Sequence, residues 1–394
     1  MRYVPHLNVK KFLSGDFPCR RTFLPIVRDI DLGFTLSWDA NLLRGKSMIF
    51  QSSSRGLSRT ALRHRAFVAA VSALMLAGSY EHSRAATLTW TGSAGDNNTA
   101  NPANWTPAQA PVNGDVLIYA GAAGLSPQMN SALTVGSLSF SSTAKVFTLG
   151  GTGTYTVNGG ITNSSTSAET INTSLRLGAN QNWNATSGNL TINGTLNLQT
   201  FTLTNVGGKT TTINGVISGT GGIFQNKGKL TLNGNNTFSG ANTLRSGTLN
   251  LGSSTAIGTG ALSITGAGKL DATGGARTIG NALKIGTSFT YVGTNALTIS
   301  GAASMSGNST ITTNGTGALT LIGTLTSNRT LTKAGTGTLG LFGANGATFT
   351  GALTVNAGRL IVGNTGATGT GLMTIGAAII ELGVPRARSR MRSH

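Results

Sequence analysis

Enzymatic chemistry needs groups that move a proton, attack a carbon or hold a metal, and in this chain such groups are few and scattered. The four histidines are His6, His64, His82 and His394, all outside the long repetitive middle of the sequence, and the single cysteine is Cys19. Between residues 87 and 385 the only carboxylates are Asp96, Asp115, Glu169, Asp271 and Glu381, mostly tens of residues apart. Cleaving a glycosidic bond takes two acids flanking it, and a calcium site takes several oxygen ligands on one face. No two of these acids fall at matching positions of neighbouring modules. The glycine runs at 150–153 and 219–222 lack a following Gly-Lys-Ser/Thr and a strand-to-helix setting, so they read as turns rather than phosphate loops. The residues therefore predict a non-enzyme, with no catalytic, cofactor-binding or metal-binding set.

The elements around these groups are defined by composition. The chain has 394 residues, 57 of them glycine, and a charged fraction of 10%, which is not that of an ordinary globular enzyme. Its net charge of +19 is concentrated at the ends. Residues 1–86 hold 13 basic and 5 acidic side chains, and four arginines crowd residues 386–394. The span 87–385 carries only 12 basic and 5 acidic residues, the bases single and without aromatic platforms, which argues against nucleic-acid binding. Leu, Ile, Val and Phe nevertheless recur there in alternating runs, so there is a periodic core to bury and the segment is not simply disordered.

Residues 66–77 are uncharged and apolar, follow Arg55, Arg59, Arg63 and Arg65, and precede the small-residue run Ser83, Arg84, Ala85, Ala86. The stretch is shorter than the ~20 residues that cross a bilayer; it has the n-region, h-region and exit of a secretory signal cleaved after Ala85 or Ala86. The alternative is a buried helix of a small domain. Ser79 stands where a lipoprotein signal needs cysteine, which argues against a lipid anchor. The expected organisation is an unassigned leader at 1–47, with Met48 or Met1 as the start, a signal peptide at 48–86, a capping segment at 87–150, repeats at 151–383 and a basic tail at 384–394. The mature chain would contain no cysteine and form no disulfide. The tail reads as a truncation or frameshift, or alternatively as a native basic segment for anionic lipid or sugar.

A short module recurs along the middle: Tyr155 to Gly159, Leu190 to Gly194, Thr211 to Gly215, Leu230 to Gly234, Leu262 to Gly266, Leu297 to Gly301, Leu319 to Gly323 and Leu339 to Gly343. The step is about twenty residues. Each module alternates apolar and polar residues and then meets Gly or Asn, the pattern of a half-buried strand and a turn. One such strand cannot cover its own apolar face, whereas stacked coils share a continuous core. The predicted fold is all-β, a parallel β-helix or β-solenoid of about fifteen coils, with a set of β-sandwiches as the rival architecture.

Two stretches, 229–252 and 338–363, are copies of one longer pattern built on Leu230, Leu232, Gly234, Phe238, Gly240, Gly247 and Leu249, and on Leu339, Leu341, Gly343, Phe349, Gly351, Gly358 and Leu360. Both resemble the passenger-associated repeat of autotransporters, a Leu-x-Leu strand, an Asn-Thr-aromatic-x-Gly turn and a Gly-x-Leu strand making roughly one and a half coils. The second copy has the lead-in 331–337 and two extra residues before Phe349; the first lacks the glycine matching Gly335. The resemblance implies an exported, extracellular or cell-surface solenoid, structural or adhesive, with surface glycans or envelope components as partners, no nucleic acid and no membrane span in the mature chain. An outer-membrane anchoring domain is not visible. Trp90 and Trp105 are candidates either for a terminal cap or for carbohydrate stacking, which keeps a carbohydrate-binding or polysaccharide-degrading β-helix as the alternative function.

Overall fold

The computed structural model describes residues 85–383, together with one antiparallel backbone pairing of Phe34–Thr35 with Gln51–Ser52. The chain divides into two compact units, Met1–His82 and Ser83–His394, and only that pairing is described in the first. Apart from that pairing, the expected leader and the signal peptide up to residue 84 lie outside the described residues, as do Cys19, all four histidines and the tail 384–394.

The second unit follows from its alternating pattern. Strands are short and bury every second side chain: Leu190–Ile192, Thr210–Ile213 and Gln181–Ala185 point Leu, Ile, Trp and Ala inward, with Thr211 and Gln181 as polar inward residues, and Thr or Asn outward. Such a strand has one apolar face and two unpaired edges, and both needs are met when the next coil lies parallel on top. The registers show this stacking directly. Ile171, Ile192, Ile213, Leu232 and Leu251 form one inward row, and Thr170, Thr191, Thr212 and Thr231 the outward row beside it.

From residue 116 onward the coil repeats every 19 to 23 residues. Each coil has three faces. The first carries a 13-stranded sheet, the second the greater part of a 16-stranded sheet, and the third begins as a 5-stranded sheet. The third face resumes as Arg277–Ile279, Leu297–Ile299, Leu319–Leu321 and Thr338–Leu341. The two sets join because Leu353–Val362 is long enough to pair with Leu331–Ala334 at one end and Thr338–Leu341 at the other. The solenoid has about thirteen turns, fewer than fifteen. Most coils are longer than twenty residues, at 21 to 23, and the first step, from Thr87–Trp90 to Val116–Tyr119, takes 29.

One apolar cluster runs the length of the unit, from Leu88 to Ala367. Outside it, a second stack follows one corner. Asn193 donates its amide to Asn172, Asn214 to Asn193 and Asn233 to Asn214, at 2.8, 2.7 and 2.7 Å. Parallel in-register stacking brings identical amides to one spacing, and a chain of amides polarised in one direction strengthens each bond.

Because the register is set by whole coils, residues 190–210 should be removable. Their deletion brings Thr211 onto the rung of Leu190 and should leave a cooperative melt and a β-rich circular dichroism spectrum. Deleting about half a coil instead turns inward side chains to the wrong face and should abolish that cooperative melt.

Candidate functional site

The residues singled out by the sequence fall into two places. At the start of the unit Trp90 and Trp105 are 1% and 2% exposed, meet edge to face at 5.1 Å and 78°, and lie against Tyr119. Their indole N–H groups donate to the carbonyls of Gly124 and Thr99 at 2.9 and 2.8 Å. Trp105–Thr106 pairs antiparallel with Thr87–Trp90 at the end of the first-face sheet. A strand of reversed direction occupies the edge that another parallel coil would otherwise need, and the indoles cover the end of the core. Buried in this way, the two rings offer no free face on which a sugar could stack.

The repeat residues form the second place. Leu230, Leu232, Phe238, Leu249, Leu339, Leu341, Phe349 and Leu360 are all buried to within 1%. Gly247 and Gly358 adopt φ of 70° and 73°, the left-handed region that admits glycine without strain. Gly234, Gly240, Gly343 and Gly351 leave no room for a Cβ, which would strike the carbonyl of the coil beneath. The carbonyls are those of Gly215, Gly221, Gly323 and Arg329 respectively, and they belong to different corners of the coil. The two copies therefore sit a third of a turn apart. Strand Lys229–Leu232 lies on the second face and its counterpart Thr338–Leu341 on the third. Each copy spans one coil plus one strand, so the extent expected from sequence, one and a half coils, is slightly too long.

Two polar positions inside the repeat, one of them the Asn of the turn motif, have a bridging role that the sequence did not reveal. Asn236 accepts from the Ile217 N–H at 2.7 Å and donates to the Ala256 carbonyl at 2.6 Å; Asn345 accepts from Leu325 and donates to Ala367, both at 2.7 Å. A side-chain amide has the donor and acceptor of a peptide group, so each Asn replaces a missing backbone rung between the coils on either side. The two extra residues of the second copy, Gly346 and Ala347, form a turn after Asn345 and leave that bridge intact.

The other pair is Gln225 and Lys333, both fully buried. The Gln225 amide donates to the carbonyls of Lys227 and Gly228 at 2.9 and 3.0 Å. The Lys333 Nζ donates to Ala334, Gly335 and Ala357 at 2.9, 2.8 and 2.9 Å. Burial pushes the lysine down to about 8, and the three carbonyls solvate its ammonium in place of water. Each side chain satisfies two carbonyls of the turn leading to the next strand, and the lysine adds a third, that of Ala357 on the following coil; the turn after the lysine is a residue longer. The lead-in glycine absent from the first copy is this extra residue.

The five described carboxylates are kept apart. Exposed Asp96 accepts from Asn101 at 2.6 Å, the Asn98 N–H at 3.0 Å and Asn104 at 2.6 Å, and these bonds hold its pKa below the usual value. Asp115 is buried and accepts from the N–H groups of Ala86 and Val112. Glu381 pairs with Arg359, and Asp271 accepts from Thr294. Glu169 points into the core, where Oε2 accepts from the Phe147 N–H at 2.7 Å and Oε1 finds no partner among the described residues. Burial raises its pKa against the opposing effect of the Phe147 bond. No group of three or more His, Cys, Asp or Glu that could hold a metal occurs among the described residues.

With this geometry in place, the comparisons are specific on one point. The passenger-associated-transport-repeat family model matches residues 225–251 and 331–362, the same two stretches and including both Gln225 and Lys333. No curated protein and no solved structure matches the chain. The molecule is a parallel β-solenoid, and it carries two passenger-associated transport repeats within a longer stack.

Two outcomes follow from the buried polar groups. Lys333→Gln, which imitates the first copy, should shift the urea midpoint little. Lys333→Leu strands buried carbonyls at about 1–3 kcal/mol each and should lower it clearly. For Glu169 the folded pKa is raised, so its contribution is fully present below the unfolded value of about 4.3 and is lost as pH rises through the folded value. Glu169→Gln should therefore raise the melting temperature at pH ~7 and leave it nearly unchanged at pH ~4, read by thermal denaturation at both.

Proposed function

We propose that the chain is an exported structural solenoid, similar to an autotransporter passenger, which spaces or presents material at the cell surface, with adhesion as its use and no catalysis. The observation that carries this reading is the placement of both transport-repeat copies within one uninterrupted stack, with their repeat-motif residues spent on the core and on coil-to-coil contacts. The described carboxylates support its non-catalytic part. Asp96 and Asp115 organise loops near the amino-terminal cap, Glu169 is in the core, Asp271 is held by Thr294, and Glu381 is paired with Arg359.

A stack of equivalent coils suits a spacer because its length is set by coil number and each coil contacts only its neighbours. No helix among the described residues is long and apolar enough to cross a membrane. The experiment is expression in a Gram-negative host followed by protease treatment of intact cells. The expected result is that protease added outside removes the repeat region from intact cells while a cytoplasmic marker survives. Protection of the repeats until the cells are lysed would contradict export.

A further inference from the structure

The outer side of the second face departs from the regular alternation over three consecutive coils. In Lys229–Leu232, Thr248–Leu251 and Lys269–Ala272 the outward residues Thr231, Asn250 and Asp271 are only 8%, 3% and 6% exposed. Beside them lies a groove of about 490 Å³ whose lining includes Lys229, Thr231, Asn233, Asn250, Thr273 and Arg277. Every residue lining it is a Thr, Asn, Gly, Lys or Arg, and none is aromatic or acidic.

Several unspent hydrogen-bonding groups converge on this groove. The Arg277 guanidinium uses Nε and Nη2 on the Thr273 carbonyl, and the sole ion pair among the described residues is Arg359 with Glu381, so neither Lys229 nor Arg277 has a carboxylate partner there. Asn233 ends the amide ladder: its Nδ2 donates to Asn214, and its Oδ1 is the terminal acceptor of the chain. Asn250 is buried, and its Oδ1 has no partner among the described residues. Asp271, one rung beyond Asn250, is engaged by the Thr294 N–H and hydroxyl at 2.9 and 2.6 Å. The row of Lys229 continues through Thr248 to Lys269, two coils or about 10 Å along the axis, so positive charge extends beyond the groove itself.

We propose that this groove binds an anionic oligosaccharide along the solenoid axis. The two cations receive its acidic groups, while the Thr hydroxyls and the Asn233 carbonyl oxygen exchange hydrogen bonds with sugar hydroxyls. The lining discriminates among ligands. Nucleic acid would need aromatic platforms for its bases, and a neutral sugar would leave two cations uncompensated. The proposal is independent of export, since it concerns only the folded surface.

The test uses the purified full-length chain and calorimetric titration with three tetrasaccharides: a galacturonic-acid oligomer, a sulfated galactose oligomer and a neutral galactose oligomer. The expected result is saturable binding of at least one acidic tetramer, weakened by salt, and none of the neutral one; the preferred acidic tetramer identifies carboxylate or sulfate as the recognised group. Lys229→Ala and Arg277→Ala should each weaken binding about tenfold. Lys284→Ala, which removes an exposed cation from the first face, should not. All three changes are outward-facing, and unchanged melting temperatures show that the fold is retained. Equal binding of the neutral tetramer, an equal loss in Lys284→Ala, or no binding of either acidic tetramer overturns the proposal.

Discussion

The structure depends on how closely one coil can lie on the next. Parallel ladder bonds fix neighbouring strands about 4.8 Å apart, and at the corners the backbone must keep that spacing while it turns. At Gly234, Gly240, Gly343 and Gly351 a single added methyl group would meet the carbonyl of the coil beneath. Glycine therefore sets the pitch, while the Leu and Ile rows supply the apolar area whose burial holds it. The low charge of the middle of the chain follows as well, since in-register stacking would place like charges of successive coils one above another.

The same constraint explains the buried polar groups. A solenoid leaves its backbone unsatisfied wherever a strand is interrupted at a corner or on a face, and unpaired buried carbonyls are costly. Asn236 and Asn345 replace a rung of the ladder with a side-chain amide, and Gln225 and Lys333 satisfy the carbonyls of a turn. An amide and an ammonium perform one task in the two copies because what the site requires is donors at a given depth, whatever group carries them.

The rotation of the two repeats by a third of a turn shows that the motif specifies a local path and leaves its face open. Leu230 and Leu339 are separated by five coils and one strand, and their strands lie on different faces of the coil. The module begins on the second face in one copy and on the third in the other. Family likeness along the sequence is consequently no guide to which residues share a surface in space.

Much of the fold was legible in the residues. Alternation in modules such as Leu190 to Gly194, a period near twenty and the Gly and Asn endings fix short strands, turns and a parallel stack, because these are local properties of side-chain size and backbone freedom. The inward placement of Leu230, Phe238 and their counterparts followed from the same pattern. What only the tertiary structure decided are relations between distant residues. They include the burial of Trp90 and Trp105 where a reversed strand ends the sheet, the partners of Lys333 and Asn345, and the placing of Lys229 and Arg277 along one groove. Coil lengths vary between 19 and 23 residues, and the connections between strands absorb each variation while the rows stay aligned, so a fixed sequence period alone cannot say which side chains finally face one another.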